Sequence, residues 1–425
     1  MQYRLLKNLI RKRSFSLKAD GSSMLPIIRP GDILHIKKTA FQNVKEGDLI
    51  MAEKKKQFMV HRIIYKSKQY LITKGDHNLK SDGRILPQNV HAALTHLTRN
   101  GQLLRAEDYY LVQAGSYLKE LAKISRVFDR QNLDYVFLKG LPVYLFLQKN
   151  LPMRLYADCD LLISPKDYPA ALVALEKIGF HPVESSYSPI FKFLKKLPTE
   201  KVFIKKTSSF PVVLDIHLEP VFLMNQISGL DALYPQKQIN LLTELFLEQK
   251  RVFIYKNIKF NLLSANHQLL YLALHFFHHS FSGFYRLALI RSASLKLIGD
   301  WQELVNLILE YRLENFVYPS FLLLEKYYPQ SLHSGFLNKI KPAGNKIKLI
   351  KKITSGKLME SETDQITAGR KRFTNIFFLS PQPLAKKLSV IFYPSVINSV
   401  MFVLYKATVN LLRLTYRKIP FFFKT

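Results

Sequence analysis

Apolar and polar residues alternate in short runs over the first hundred residues of the chain. Such runs cover residues 32–38, 48–54, 58–65, 70–75 and 90–97. A period of two is typical of β-strands, and the Gly-Asp pairs at 31–32, 47–48 and 75–76 are typical of the turns between them. The pattern predicts a small all-β domain over residues 15–106, preceded by a basic N-terminal arm at residues 1–14.

The pattern changes near residue 107. Apolar residues between Tyr110 and Phe128 recur at helical spacing. Further along, strand-like runs alternate with helical ones, and the predicted strands cover residues 133–140, 154–163 and 211–218. These features predict an α+β core over residues 107–255, followed by a helical region with a basic tail over residues 256–425. The chain is therefore expected to be multidomain.

Composition sharpens this picture. The chain has 425 residues, 48% of them hydrophobic, and carries 63 Lys+Arg against 31 Asp+Glu, a net charge of +32. Apolar content of this size supports packed cores and argues against wholesale disorder. The positive charge attracts anions such as nucleotide phosphates or an anionic membrane surface. The basic residues are spread along the chain, so nucleic acid is a less favoured partner, although it is not excluded.

The location expected from the sequence is cytoplasmic, with a peripheral position at the inner membrane face left open. The single cysteine precludes an intrachain disulfide and favours a reducing compartment. The N-terminal segment lacks the apolar run of a secretory signal. Residues 388–404 are apolar but interrupted by Pro394 and Asn398, which favours packed or interfacial helices over a membrane span. The aromatic tail at residues 420–424 could contact a membrane surface.

Two aspartates, Asp158 and Asp160, lie two residues apart and are followed directly by an apolar run. In an extended strand, residues at this spacing project from one face. Two carboxylates held together repel each other and favour a cation between them. The residues alone therefore predict a metal site on a strand of the larger domain.

Three ordered blocks in the first domain resemble the serine peptidase fold of type I signal peptidases and LexA-like proteins. They are GSSMLP at residues 21–26, VHRII at 60–64 and KGDHNLKSD at 74–82. The resemblance implies that Ser23 is the nucleophile and that His61 is its base, as in the histidine type of archaeal and endoplasmic-reticulum signal peptidases. It also implies that Asp82 is the third catalytic residue.

The larger domain resembles the DNA polymerase β-like nucleotidyltransferases, and more narrowly a family of uncharacterised bacterial nucleotidyltransferases. The matching residues are Leu-Lys-Gly at 138–140, Arg154 followed by Asp158 and Asp160, and Asp-Ile-His at 215–217. The resemblance implies that Asp158, Asp160 and Asp215 hold divalent cations, two Mg²⁺ ions in the usual arrangement. Asp215 would also help to deprotonate the acceptor.

The same resemblance implies that a nucleoside triphosphate is a substrate. Lys139, Gly140 and Arg154 are the candidates for binding its phosphates, because cations and backbone N–H groups neutralise phosphate charge. A separate histidine cluster lies at His275, His278 and His279. Its spacing suits either helix packing and substrate contact or a zinc site, and the first interpretation is favoured because no acidic partner lies at metal-motif spacing.

Three hypotheses about function follow. In the first, a signal-peptidase-like serine endopeptidase is fused to a metal-dependent nucleotidyltransferase that transfers NMP from NTP to an unknown acceptor. In the second, both folds are decayed enzymes and the chain is a non-catalytic binding or scaffold protein. In the third, the chain is a peptidase whose nucleotidyltransferase-like domain only recruits a peptide or protein substrate.

Overall fold

The computed structural model describes residues 2–148, 155–156, 158–183, 200–207, 210–220, 230–296, 300–355, 365–392 and 397. Arg154, most of residues 388–404 and the aromatic tail lie outside these ranges. Within the described ranges, no helix is both long enough and apolar enough to cross a membrane.

The N-terminal part forms an antiparallel sheet of eight strands. They are β1 (Ser14–Lys18), β2 (Ile33–Lys38), β3 (Leu49–Lys54), β4 (Gln57–Lys66), β5 (Leu71–Lys74), β6 (Gly83–Ile85), β7 (Val90–Arg99) and β8 (Gln102–Leu104). Their order is β1-β2-β7-β3-β4-β5-β6, with β8 paired to β7. The five runs recognised by their alternation thus correspond to β2, β3, β4, β5 and β7.

Strand β2 shows why the alternation produces this sheet. Leu34 and Ile36 are buried, whereas Ile33 and Lys37 on the opposite face are exposed. Residues 2–9 of the predicted arm form helix α1 (Gln2–Leu9). Leu6 packs against the same apolar cluster, so this end of the chain is part of the domain surface.

The second part is built on a mixed sheet of seven strands. They are β9 (Tyr135–Lys139), β10 (Cys159–Ile163), β11 (His181–Pro182), β12 (Glu200–Lys205), β13 (Val212–His217), β14 (Arg251–Tyr255) and β15 (Ile258–Leu262). Their order is β11-β12-β13-β10-β9-β15-β14. Strand β10 is central, parallel to β13 and antiparallel to β9.

Helices surround this sheet and continue to the end of the described chain. They are α2 (Ala106–Arg130), α3 (Leu141–Gln148), α4 (Tyr168–Lys177), α5 (Gln236–Glu248), α6 (Ala265–His278), α7 (Phe284–Lys296), α8 (Trp301–Glu310), α9 (Glu314–Tyr327), α10 (Phe336–Lys339), α11 (Gly344–Thr354), α12 (Gln365–Leu379) and α13 (Leu384–Leu388). The predicted fold class is therefore confirmed: a β-rich N-terminal region precedes an α+β domain and a helical C-terminal region.

Two details of the larger domain differ from the sequence-based expectation. Strand β10 begins at Cys159, so only Asp160 of the aspartate pair lies on the strand, and Asp158 directly precedes it. The sheet also continues past residue 255, because β14 and β15 form a hairpin in which Arg251 pairs with Leu262. The turn at Lys256 and Asn257 has positive φ at both residues without a glycine to signal it.

The first sheet packs directly against helices of the second part. The Tyr65 ring on β4 stacks on Phe284 of α7 with ring centroids 4.7 Å apart. Its hydroxyl donates a hydrogen bond to the Tyr327 carbonyl at 3.1 Å. Glu46 accepts a hydrogen bond from the Tyr328 hydroxyl at 3.3 Å. Tyr65 and Ile72 of the first sheet belong to the same buried apolar cluster as the core of the second.

Candidate functional sites

Ser23, His61 and Asp82 meet in space at one end of the first sheet. The Nε2 atom of His61 lies 2.9 Å from the Ser23 hydroxyl, and its Nδ1 atom lies 2.7 Å from Asp82 Oδ2. His61 is a buried residue of β4, whereas Ser23 lies in the loop between β1 and β2. The predicted trio thus forms a continuous hydrogen-bonded chain from hydroxyl to imidazole to carboxylate.

Neighbouring backbone and side-chain groups hold this chain in place. The Ser23 carbonyl accepts a hydrogen bond from the His77 N–H at 2.9 Å. A Cβ atom at Gly75 would lie 2.6 Å from that same carbonyl, so the close approach requires glycine. Asp82 accepts a second hydrogen bond, at 2.7 Å, from the Thr73 hydroxyl. The loop between β5 and β6 therefore supports both the serine and the aspartate.

Arg62 and Asp76, which belong to the same sequence blocks, form a structural pair beside this site. The Arg62 guanidinium donates to both Asp76 oxygens, at 2.7 and 2.6 Å, and to the Gly47 carbonyl at 2.9 Å. It also lies over the Tyr110 ring of α2 at 5.1 Å. Burial opposes the charge of Arg62, but the Asp76 carboxylate raises its pKa above the ordinary value. The pair fixes the β5–β6 loop against β4 and α2.

The second site lies on three adjacent strands of the larger sheet. Asp160 on β10 is paired in register with Asp215 on β13 and with Lys139 on β9. Lys139 Nζ lies 2.8 Å from Asp160 Oδ2 and 3.2 Å from Asp158 Oδ1. His217 Nε2 lies 2.9 Å from Asp160 Oδ1. Two carboxylates thus share one ammonium group, and a third, Asp215, is paired with Asp160 on the neighbouring strand.

This crowding shifts the pKa values of the site in opposite directions. Burial favours the neutral form of Asp160, but Lys139 and His217 outweigh it and lower the pKa of Asp160. Burial raises the pKa of Asp215 to about 8, and repulsion from Asp160 and Asp158 adds to the effect. For His217, burial lowers the pKa, but the hydrogen bond to Asp160 reverses the direction and raises it. The raised pKa of Asp215 indicates that the cationic groups of the protein do not fully offset the repulsion among these carboxylates.

The donor set at this site fits a divalent cation. One ligand atom each from Asp160, Asp215 and His217 can be chosen so that all three lie within 4.8 Å of one another. Carboxylate oxygens suit Mg²⁺ and Mn²⁺, and an imidazole nitrogen is tolerated by Mn²⁺ and later transition metals. Asp158 is 31% exposed and pairs with Lys139, so its part in binding a cation stays a prediction, as does a second ion.

Gly140 occupies a position that no other residue fits without rearrangement. Its φ is +103°, and an added Cβ would lie 2.5 Å from Cys159 Sγ and 3.0 Å from Cys159 Cα. This close approach brings the N-terminus of α3 against β10, beside Asp160. A role for Gly140 in phosphate binding stays a prediction, and Arg154 lies outside the described residues.

Two histidines at this site, His217 and His275, were not assigned to it from the sequence. His217 shares a strand face with Asp215, and that two-residue spacing was its available signal. His275 Nε2 lies 3.4 Å from Lys139 Nζ and 3.2 Å from His279 Nε2. Burial lowers the pKa of His275 well below its ordinary value, and Lys139 adds to this effect. Only the fold reveals that this helix faces Lys139.

The contacts of the histidine cluster favour the packing interpretation over zinc. Among the described residues, Asp160, Asp215 and His217 are the group of three with metal-ligand geometry, and the α6 histidines are not part of such a group.

Arg286, near this cluster on α7, donates to the Ser282 carbonyl at 2.9 Å. Its buried Nε atom has no hydrogen-bond partner among the residues that the structure describes. A positively charged group is therefore available beside Lys139 and His279.

Comparison with known proteins agrees with both parts of this architecture. The family described as uncharacterised nucleotidyltransferase matches residues 78–329, and the family described as peptidase S24-like matches residues 1–89. A similar solved structure is that of an antigenic nucleotidyltransferase-like protein from Paracoccidioides brasiliensis, at 14% identity and a TM-score of 0.33. That match covers 55% of this chain and 93% of the other. No curated protein matches the chain. The chain carries a peptidase S24-like region at its N-terminus. Because the match to the uncharacterised nucleotidyltransferase family spans more than half of the chain, the chain belongs to that family.

Proposed function

We propose that the larger domain is a metal-dependent nucleotidyltransferase that transfers NMP from a nucleoside triphosphate to an acceptor hydroxyl. The observation that carries this proposal is the register of Asp160 with Asp215, which gathers two carboxylates and His217 into one cation-binding group. Lys139 lies between Asp158 and Asp160 and is within reach of a phosphate that enters from the same side.

In the proposed reaction, the acceptor oxygen attacks the α-phosphorus, and the bond from that phosphorus to the β-phosphate oxygen breaks. Pyrophosphate leaves with the bonding electrons, and the hydroxyl proton passes to Asp215. Lys139 and Arg286 balance the charge that develops on the phosphate oxygens. A divalent cation held by Asp160, Asp215 and His217 would add Lewis-acid neutralisation of the triphosphate.

Calorimetry tests nucleotide binding without knowledge of the acceptor. We expect the wild-type protein to bind an α,β-methylene nucleoside triphosphate in the presence of Mg²⁺, because this analogue cannot undergo transfer. The double variant Asp158→Asn/Asp160→Asn should lose this binding. The proposal would be refuted if the wild-type protein bound none of the α,β-methylene triphosphates of the four common nucleosides.

A second function, serine endopeptidase activity, is favoured by the hydrogen-bonded chain Ser23–His61–Asp82. In this mechanism the Ser23 oxygen attacks the scissile carbonyl while His61 accepts its proton. His61 then donates that proton to the leaving amine, and water attacks the acyl-enzyme to release the second product. Asp82 orients the imidazole and stabilises its charged form. The substrate class is a peptide or protein.

Labelling with a fluorophosphonate tests this second function directly, because the reagent reacts with activated serines. We expect one adduct, located at Ser23 by mass spectrometry and lost in Ser23→Ala. Labelling without nucleotide binding would favour a peptidase whose larger domain recruits substrate. If the protein shows neither labelling nor nucleotide binding, the result would favour a non-catalytic scaffold.

A further inference from the structure

A cavity of about 500 Å³ lies between the two candidate sites and has walls from both parts of the chain. Lys139, Gly140, Asp158 and Arg286 line it on the nucleotidyltransferase side. Its size falls in the range typical of small-molecule and cofactor sites. The larger domain therefore does not enclose this space alone.

The wall contributed by the first sheet comes from residues close to the peptidase-like trio. Leu25 and Pro26 lie two and three residues after Ser23. Gly75 and Asp76 belong to the loop that supports Ser23. Ile64 on β4 lies between them and the larger domain, where it packs against the main core cluster. This wall has an apolar part at Leu25, Pro26 and Ile64 and also carries Glu46, Arg62, Lys74 and Asp76, whereas the opposite wall carries Lys139 and Arg286.

Such a division matches the two ends of a nucleotide. The phosphates suit the cationic wall, where Gly140 opens helix α3 and Tyr144 and Gln148 of the same helix also line the cavity. Backbone N–H groups in the first turn of a helix favour anions. A base suits the apolar part of the first wall, because its ring faces bury well against aliphatic side chains.

We propose that the nucleotide site is composite, with the base held against the peptidase-like region while the triphosphate lies at the nucleotidyltransferase centre. This inference rests on the proposed nucleotidyltransferase function and specifies how its substrate is recognised. Leu25, Pro26 and Ile64 form the base-binding wall. The peptidase-like region is then part of the nucleotide specificity of the larger domain.

The walls of the cavity are held at a defined separation by aromatic packing. Tyr65, the residue after Ile64, stacks on Phe284, which itself lines the cavity. Tyr327 contacts both rings, at centroid distances of 5.5 and 5.2 Å. A preorganised cleft of this kind reduces the cost of ordering on binding.

A consequence is that nucleotide binding and the state of Ser23 are linked. The loop that contributes Gly75 and Asp76 to the cavity also donates the His77 N–H to the Ser23 carbonyl. Asp76 N–H in addition contacts Met24 Sδ at 3.4 Å. A ligand bound against this loop therefore also acts on the segment that positions Ser23, and such coupling is reciprocal.

The test is nucleotide affinity in a variant of the peptidase-like wall. Ile64→Trp places a larger ring in the cavity without changing a residue of the cation-binding group. We expect calorimetry with α,β-methylene nucleoside triphosphates and Mg²⁺ to show at least a 10-fold loss of affinity. The matched control is Ile33→Trp on β2, which is exposed, does not line the cavity and should bind as the wild type does.

A second variant protects the test against misfolding. Lys74→Ala removes a cation from the same wall, and Lys37→Ala on β2 is its control. Melting temperatures by circular dichroism identify the variants that fold. A loss of affinity in a folded wall variant, with unchanged controls, supports the composite site. Wild-type affinity in both Ile64→Trp and Lys74→Ala would overturn it while leaving the nucleotidyltransferase function intact, whereas no binding by the wild-type protein would overturn both.

Discussion

Asp160 and Asp215 lie side by side at paired positions of the parallel strands β10 and β13, although 55 residues of sequence separate them. Their side chains project from the same face, because paired residues in a sheet share its pleat. With His217 two residues beyond Asp215, they form a group whose geometry suits a metal ion.

Removal of a ligand should weaken cation binding at the carboxylate site. We expect Asp215→Asn to weaken Mn²⁺ binding, measured by electron paramagnetic resonance, by at least about 10-fold, since an amide loses the ligand charge. His217→Ala should weaken it as well. Asp20→Asn, an exposed aspartate of the first region, is the control and should leave the affinity unchanged. Equal Mn²⁺ affinity in all of these proteins would contradict the assigned group.

Asp82 should control the reactivity of Ser23 through His61. Because the Asp82 carboxylate accepts a hydrogen bond from the Nδ1–H of His61, Asp82→Asn disturbs the tautomer whose Nε2 faces Ser23. We expect fluorophosphonate labelling to slow by about 10²–10⁴-fold. Ser14→Ala, on an exposed part of β1, should label at the wild-type rate. An unchanged rate in Asp82→Asn would show that Ser23 reacts without the aspartate.

The Asp32–Arg99 pair should contribute to stability in a pH-dependent way. Arg99 donates to both Asp32 oxygens, at 2.8 and 2.6 Å, and Asp32 is buried. Burial opposes ionisation, but Arg99 and the Arg29 backbone N–H lower the pKa of Asp32. The contribution is therefore complete above the unfolded-state pKa of about 4 and is lost as pH falls through the lower folded-state pKa.

Denaturant unfolding provides the measurement for this pair. We expect Asp32→Asn to reduce the free energy of unfolding near pH 7 by about 3 kcal/mol, because it leaves Arg99 without its charged partner. The difference should shrink below about pH 4. Asp108→Asn is the control, since the Asp108–Arg105 pair is exposed and should change stability by less than about 1 kcal/mol. A variant as stable as wild type at pH 7 would refute this role.

Gly140→Ala should be more harmful than an equivalent change at another positive-φ glycine. At Gly140 the new Cβ meets Cys159, whereas at Gly101, with φ +78°, nothing lies within 4 Å. Both variants incur backbone strain of about 1–3 kcal/mol, and Gly140→Ala adds overpacking of similar size. Thermal unfolding should show the larger loss in Gly140→Ala. Equal losses in the two variants would mean that β9 and β10 separate freely.

Much of the fold could be predicted locally. Period-two runs located β2, β3, β4, β5 and β7, and helical spacing located α2, because burial of one face imposes these periods on the sequence. The predicted start of β10 was wrong, because it placed Asp158 on the strand. An aspartate pair at strand spacing looks the same in sequence on a strand and just before one. The expected end of the core at residue 255 falls within the β14–β15 hairpin, whose Lys-Asn turn lacks the glycine that usually signals such turns.

The sequence by itself determined the residue types and the order of two chemical centres: a serine, a histidine and an aspartate in the first hundred residues, then a lysine and three aspartates. Only the tertiary structure decided which groups touch. It joined His61 to Ser23 and Asp82, brought His217 and His275 to the carboxylate site, and placed beside that site a cavity whose other wall includes the loop that supports Ser23. The physical reason is that periodicity records burial on one element, whereas contacts between distant side chains depend on strand register and on how the two sheets pack together.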